Sequence, residues 1–170
     1  MPRAHARRPA SIMVVPILVA ALAVGVTAGC GTSAAVPAAD AVGRYDAAVA
    51  DLEEALAGTG VTWEHLPATR TVEERDEGCA YDPGTWEPSS SAEEDLRSPD
   101  GWRPWLEAAA PVLAEHGFEA VDEPERVEGT LRLRSEDHHG AELTIDMSGR
   151  IRIWGARIDA TPCAPASLGL

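Results

Sequence analysis

The chain has 170 residues, and 28 acidic side chains face 14 basic ones, all of them arginine, for a formal net charge of −14. A surface this acidic repels the phosphate backbone, so the composition excludes nucleic acid as a partner. Lysine, asparagine and glutamine are absent from the sequence. Lysine Schiff-base chemistry, phosphate-loop lysines and side-chain amides in an oxyanion hole are therefore excluded as well.

The first 29 residues have the layout of an export signal. Three arginines precede an uncharged stretch at 9–29, whose apolar centre IMVVPILVAALAVGV is interrupted at Pro16. A membrane span needs about 20 unbroken apolar residues, whereas a shorter apolar run followed by small residues is typical of a cleaved signal. The sequence therefore predicts a signal peptide over residues 1–29.

The segment VTAGC at 26–30 resembles the bacterial lipobox, in which the signal is cut just before a cysteine whose sulfur receives diacylglycerol. Thr27 stands where that motif usually has leucine. The resemblance implies that Cys30 becomes the lipidated first residue of the mature chain, anchored to the cell membrane on its extracytoplasmic face. Ordinary secretion with cleavage nearby and an uncut membrane anchor are the alternatives.

The residues after Cys30 predict a tether followed by one domain. The segment 30–39 has mostly small side chains and no charge before Asp40, which is typical of a flexible linker. A single α+β domain is predicted over 40–170. All acidic residues lie at or after Asp40, so the mature chain would carry 11 arginines against 28 acidic residues, a net charge of −17.

Two further cysteines, Cys79 and Cys163, predict a disulfide, because an exported domain folds in an oxidising compartment. Closing a loop of this length stabilises a fold by roughly 4 kcal/mol in the chain-entropy model. The alternative is a catalytic thiol, which needs a nearby base, and no Cys-x-x-Cys motif is present.

The first predicted element of the domain is a helix over residues 40–57, which Gly58 ends. The next segment, VTWEHLPATRTVEE, is predicted to form two short strands interrupted at Pro67. Apolar residues of the helix recur at intervals of three and four and so share one face: Val42, Tyr45, Val49, Leu52 and Leu56.

A long surface loop is predicted over residues 76–100, which are rich in proline, glycine and serine. Trp86 lies within it. If exposed, this tryptophan is a candidate anchor for a partner or a sugar; the alternative is that it folds back over the sheet.

A second helix is predicted from an N-cap at Asp100 to a stop at Gly117. Pro111 lies inside this helix and removes the hydrogen bond to the carbonyl of Glu107. We therefore expect either a kink near Glu107 or two short helices.

Three successive strands are predicted in the segment VEGTLRLRSEDHHGAELTIDMSGRIRIWGARI, where apolar and polar residues alternate. A turn at 147–149 would pair Asp146 with Arg150 and Ile145 with Ile151. The side chains expected on the buried face are Leu131, Leu133, Leu143, Ile145, Ile151 and Ile153.

The same register predicts two rows of side chains across the exposed face of this meander. One row holds Arg132, Asp146 and Arg150, and the other holds Arg134, Thr144 and Arg152. The second row makes Arg134 and Arg152 candidates for a small-anion site. The alternative is a solvated face whose charges pair across strands, with each pair contributing roughly a few tenths of a kcal/mol.

Asp137, His138 and His139 are the candidate metal ligands, since carboxylate and imidazole groups both bind zinc. Adjacent side chains on a strand point to opposite faces, so only a loop conformation would let both histidines bind one ion. A hydrated hairpin tip is the alternative.

The order of these features resembles the LppA-like lipoproteins of actinobacteria. It comprises a helix, short strands, a Gly-Cys step with a tryptophan-bearing segment, a tryptophan-containing helix ending in His-Gly-Phe, a β-meander and a final cysteine. The resemblance implies a small α+β envelope lipoprotein, and it supplies no catalytic residues.

The sequence thus predicts an α+β fold in which two main helices pack on an antiparallel sheet that ends in a three-stranded β-meander, with one disulfide. The predicted function is a membrane-anchored binding or interaction module, with a cell-wall ligand or an envelope protein as partner. A small envelope enzyme, with or without a metal ion at Asp137, His138 and His139, is the alternative, and no cofactor is predicted.

Overall fold

The computed structural model describes residues 34–76 and 78–170. The predicted signal peptide and Cys30 lie outside the described residues. The helices are α1 (Ala38–Ala55), α2 (Glu93–Leu96) and α3 (Pro99–Glu115). The strands are β1 (Val36–Pro37), β2 (Trp63–Leu66), β3 (Thr71–Arg75), β4 (Gly78–Asp82), β5 (Gly84–Pro88), β6 (Glu125–Val127), β7 (Thr130–Glu136), β8 (Glu142–Ile145), β9 (Ile151–Trp154) and β10 (Ala156–Asp159).

The strands form a six-stranded sheet in the order β2-β5-β9-β8-β7-β6 and a four-stranded sheet in the order β1-β10-β4-β3. Neighbours are antiparallel except for β1, which runs parallel to β10. Three stretches of chain pass directly from one sheet into the other, through a 3-10 turn at Pro67–Thr69, at Pro83 and at Gly155. The two sheets are therefore joined along one corner.

Gly84 is required at this corner. Its φ is +116°, and a Cβ added there would lie 2.7 Å from the hydroxyl oxygen of Thr69. That hydroxyl accepts a hydrogen bond from the backbone N–H of Thr85 at 2.8 Å. Any side chain at 84 would therefore be strained and would also push on a bond that holds the corner.

The core lies between one face of the six-stranded sheet and the helices. The alternation of the meander predicted this face correctly, since all six apolar side chains of β7, β8 and β9 are buried. Helices α1 and α3 contact each other, and α3 contacts β7. Their buried faces carry Tyr45, Leu52, Trp102, Trp105 and Leu113. The predicted α+β class is therefore confirmed; the helix count and the meander match loosely, since α2 is a third helix and the strands form two sheets rather than one.

The folded domain begins before the predicted boundary. Val36 and Pro37 pair with β10, and Val36 is only 2% exposed. Helix α1 then starts at Ala38. Four of the ten residues interpreted as a tether, 36–39, therefore belong to β1 and α1, because burial of Val36 and the pairing of β1 offset the cost of ordering them.

Helix α3 begins with Ser98 as its N-cap, whose hydroxyl accepts from the backbone N–H of Gly101 at 3.3 Å. The predicted cap, Asp100, lies inside the first turn instead. The helix runs through Pro111 to Glu115 as one element, so the prediction of two short helices is wrong. One lost backbone bond is outweighed by the buried apolar face on either side of the proline.

The prediction of a long surface loop over residues 76–100 is wrong, because this segment contains β4, β5 and α2. Cys79, Ala80 and Tyr81 are buried in succession along β4. A strand buried on both faces lacks the alternation from which strands are predicted, and the flanking glycines and prolines added a loop-like composition.

The predicted disulfide is confirmed, with the sulfur atoms of Cys79 and Cys163 2.00 Å apart. It ties β4 to the segment after β10. The register of the meander is confirmed as well, because Ile145 pairs with Ile151 and Arg134 with Thr144.

Two glycines give a matched test of the helix packing. A Cβ at Gly101 would lie 1.7 Å from the carbonyl oxygen of Asp95, whereas one at Gly43, in α1, would have nothing within 4 Å. We expect Gly101→Ala to lower the free energy of unfolding by about 2 kcal/mol through overpacking. Gly43→Ala should raise it by up to about 1 kcal/mol, since alanine favours a helix. Denaturant unfolding measures both, and equal effects would contradict this packing.

Candidate functional site

The outer face of the six-stranded sheet carries the predicted arginine row. Arg134 pairs with Thr144, Thr144 with Arg152, and Arg152 with Thr85. The row therefore extends one strand further than predicted, onto β5. Side chains in the same row lie within contact of their neighbours across each strand pair.

Most charges on this outer face have partners. Arg150 donates to Glu87 at 2.7 Å and lies 3.6 Å from Asp146. Arg132 forms an ion pair with Glu125 of β6 at 2.5 Å rather than with Asp146, its neighbour in the predicted row. The carboxylate of Asp146 instead accepts from the backbone N–H groups of the turn that follows it.

Arg134 also has an ion partner, since its Nη2 donates to Oε2 of Glu142 at 2.6 Å. This hydrogen bond, together with the charge of Glu142, raises the pKa of Arg134. The hydrogen bond to Glu87 raises the pKa of Arg150 in the same way. Both guanidinium groups are thus held in the charged form by neighbours in their own sheet.

Arg152 differs from these arginines. Among the residues that the structure describes, no carboxylate forms an ion pair with it. Its guanidinium carbon lies 4.7 Å from the ring centroid of Trp154, a cation–π contact. The charge of Arg152 therefore faces solvent beside an aromatic ring.

A groove of about 560 Å³ lies next to Arg152, at the corner between the two sheets. Threonine hydroxyls and carboxylates line it together with Arg152. The carboxylates have partners: Glu87 accepts from Arg150, Asp82 accepts from the backbone N–H of Gly155 at 2.7 Å, and Glu73 lies 3.9 Å from Arg75. The lining residues are Leu66, Thr69, Thr71, Glu73, Asp82, Gly84, Thr85, Glu87, Arg150, Arg152 and Ile153.

The carboxylate of Asp137 points into the protein, whereas the two histidines that follow it lie at the surface. Its side chain is fully buried and accepts from the Tyr45 hydroxyl at 3.0 Å and from the backbone N–H groups of His139 and Ala141, both at 2.8 Å. Nε of Arg44 lies 3.9 Å away. This carboxylate ties α1 to the β7–β8 hairpin from inside the protein.

Burial raises the pKa of Tyr45, and the charge of Asp137 and the hydrogen bond to it act in the same direction. The hydroxyl therefore stays protonated and remains a donor to the carboxylate over the whole range in which proteins fold.

His138 and His139 lie at the surface of the hairpin tip, with ring centroids 4.0 Å apart. Nδ1 of His139 contacts the carbonyl oxygen of Ala34 at 2.5 Å, and Nδ1 of His138 contacts that of Gly117 at 3.4 Å. Within 34–76 and 78–170, no three histidine, cysteine or acidic residues are placed to hold a metal ion. The predicted ligands are adjacent in sequence, but Asp137 is turned inward.

Trp86 lies in β5, is 5% exposed and belongs to the core. Its neighbour Thr85 is on the outer face with Arg152, so the indole is on the opposite face of the sheet. Its ring centroid is 4.7 Å from that of His65 on β2. Trp86 is therefore not an exposed loop anchor, because the segment that holds it is a strand.

Comparison with known proteins adds no assignment: no protein family matches the chain, and neither the curated proteins nor the solved structures contain a significant match. In the described part of the chain, no helix has the length and apolar character to cross a membrane.

Sequence reasoning found Arg152 but missed the opposite wall of the groove. Thr69, Asp82 and Thr85 belong to the 3-10 turn and to the strands that were interpreted as a loop.

Two buried tyrosines test the role of Asp137. Tyr45 donates to this carboxylate, whereas the hydroxyl of Tyr81 is buried with no hydrogen-bond partner among the described residues. We expect Tyr45→Phe to lower the free energy of unfolding by about 2 kcal/mol, since it removes a donor from a buried charge. Denaturant unfolding with a tertiary-structure probe measures this loss.

Tyr81→Phe is the matched control and should leave the free energy of unfolding unchanged or slightly higher, because it removes a buried hydroxyl that has no hydrogen-bond partner among the described residues. Burial of this hydroxyl raises the pKa of Tyr81 to about 12. A larger loss for Tyr81→Phe than for Tyr45→Phe would contradict the role assigned to Asp137.

Proposed function

We propose that the protein is a lipid-anchored extracytoplasmic binding module that holds an anionic group of its ligand on the outer face of the six-stranded sheet. The observation that supports this function most directly is Arg152, a guanidinium beside a groove and without a carboxylate partner among the described residues. The planar donor fork of arginine matches a carboxylate or a phosphate group, which accepts two parallel hydrogen bonds.

The surroundings of Arg152 favour a single anionic group over an extended anion. Thr85 and Thr144, the cross-strand neighbours of Arg152, are buried and uncharged, and Thr85 lines the groove. The carboxylates around the groove have cationic partners, since Glu87 pairs with Arg150, and Asp82 and Glu73 pair with Arg75. The net charge of −14 would repel a polyanion.

The membrane anchor in this proposal depends on Cys30 and on the lipobox resemblance. Because the folded domain starts at Val36, only residues 31–35 would separate it from the lipidated cysteine. Five residues reach at most about 18 Å when fully extended. The domain would therefore stay within a few nanometres of the bilayer and meet ligands of the inner envelope.

The resemblance to the LppA-like lipoproteins of actinobacteria is in line with this proposal and remains part of it. The enzyme alternative relied on Asp137, His138 and His139. Since Asp137 is engaged inside the protein, no observation favours that alternative over binding.

A substitution at Arg152 tests the proposed site. Titration of the isotope-labelled protein with inorganic phosphate and with succinate should shift the amide signals of Thr85, Thr144 and Arg152. We expect Arg152→Gln to weaken this binding about tenfold or more, since hydrogen bonds to a charged group are lost.

Arg103→Gln is the control, because Arg103 is an exposed arginine of α3 that pairs with Asp100, far from the groove in sequence and on another element. It removes the same charge and should leave the affinity unchanged within about twofold. Equal losses in both variants, or no binding of either anion by the native chain, would overturn the site.

The anchor has its own test. Cells that express the native chain should incorporate labelled fatty acid into it and hold it in the membrane fraction. Cys30→Ala should abolish labelling, because no sulfur remains to be acylated. Labelled fatty acid that still enters the Cys30→Ala chain would contradict the assignment.

A further inference from the structure

A second cavity, of about 310 Å³, lies on the other side of the sheet, where α1 meets the edge strand β2. Its walls come from α1 on one side and from β2 and the turn after it on the other, with Trp86 of β5 contributing as well. The residues that line it are Asp46, Ala50, Glu53, His65, Arg70 and Trp86. This is the low end of the size range of small-molecule sites.

Two of the charged groups in this cleft already satisfy each other. Arg70 Nη2 donates to the carboxylate of Asp46. Arg70 Nε also donates to the carbonyl oxygen of Pro83 at 3.2 Å, which fixes the guanidinium against the corner of the sheets. The Asp46–Arg70 pair therefore adds no net charge to the cleft.

Glu53 is the charge without a partner. It lies two turns along α1 from Asp46, on the same stripe of the helix as Ala50. Among the described residues, its carboxylate takes part in no hydrogen bond or ion pair, and burial raises its pKa. An anion in this position is incompletely solvated, and a cation beside it would relieve that cost.

Trp86 supplies an aromatic wall to the same cleft. The residue is 5% exposed, and its ring centroid lies 4.7 Å from that of His65 on the neighbouring strand. The same cavity that Glu53 lines is therefore bounded by two aromatic rings.

We propose that the cleft between α1 and β2 binds a small primary ammonium group, which pairs with the carboxylate of Glu53 and lies against the aromatic wall of Trp86 and His65. The two carboxylates and one guanidinium of the cleft leave it with a formal charge of −1 when His65 is neutral. A monocation is the ligand that neutralises this charge, and the aromatic rings, 4.7 Å apart, offer it a polarisable wall.

Probes that differ in one property test this inference on the full-length protein. n-Propylammonium and propan-1-ol have similar size, but only the first is charged. Titration with n-propylammonium should shift the indole N–H signal of Trp86, which is identified by its absence in Trp86→Phe. Propan-1-ol should produce no such shift at the same concentration.

Two neighbouring glutamates provide matched variants. Glu53→Gln keeps the shape of the side chain and removes the charge from the cleft, and we expect it to weaken n-propylammonium binding about tenfold or more. Glu54→Gln removes the same charge from an exposed position outside the cleft and should change the affinity less than about twofold. Asp46→Asn should weaken binding as well, because it frees the charge of Arg70.

Equal effects of Glu53→Gln and Glu54→Gln would show only long-range attraction to an acidic protein and would overturn the site. Binding of propan-1-ol with equal affinity, or no binding of n-propylammonium by the native chain, would also overturn it. Arg152→Gln should leave ammonium binding unchanged, so this test is independent of the anion site on the outer face.

Discussion

Alternation of apolar and polar side chains along β7, β8 and β9 is the constraint on which both faces of the sheet depend. Because side chains alternate with a period of two, a slip of one residue would move Ile151 and Ile153 to the solvent and Arg152 into the core. The turn between β8 and β9 holds this register, since Asp146 accepts from the backbone N–H of Ser148 at 2.8 Å and from that of Arg150 at 3.2 Å. The same register buries the sheet face against which the helices pack and exposes the face that carries the arginine row.

Asp137 shows how a local polar group contributes to this arrangement. Its buried carboxylate joins the hairpin to Tyr45 of α1, so the helix is tied to the sheet by a charged hydrogen bond as well as by apolar packing. Hydrogen-bond donors compensate the cost of burying this carboxylate. Because its oxygens accept from these donors inside the protein, they are not available to a metal ion at the surface. The two histidines that follow it are left at the tip of the hairpin.

The two proposed sites use opposite charges on opposite faces. On the outer face, Arg152 is a cation whose neighbours are hydroxyls and an aromatic ring. At the edge of the inner face, Glu53 is a carboxylate that faces an ion pair already closed between Asp46 and Arg70. In both places one charged side chain without an ion-pair partner lies among charged side chains that have partners. This arrangement is expected where a ligand supplies the missing partner.

Elements with a strong local period were predictable from the sequence. The stripe of Val49 and Leu52 predicted α1, and the alternation of the meander predicted its buried face, its register and the row containing Arg134 and Arg152. The disulfide followed from the number of cysteines and the expected compartment. Each of these depends on neighbours in sequence or on a simple count.

The tertiary structure decided what lies between those elements. Strands β4 and β5 have consecutive buried residues and bend at Pro83, so they carry no alternation, and their pairing with β3, β9 and β10 is set by partners far away in sequence. The cleft at Glu53 combines α1 with β2 and β5, and no local pattern links these segments. Sequence by itself therefore determined the periodic elements and the charge balance. Only long-range packing decided which charges were left without partners, because that depends on distances between segments that lie far apart in the sequence.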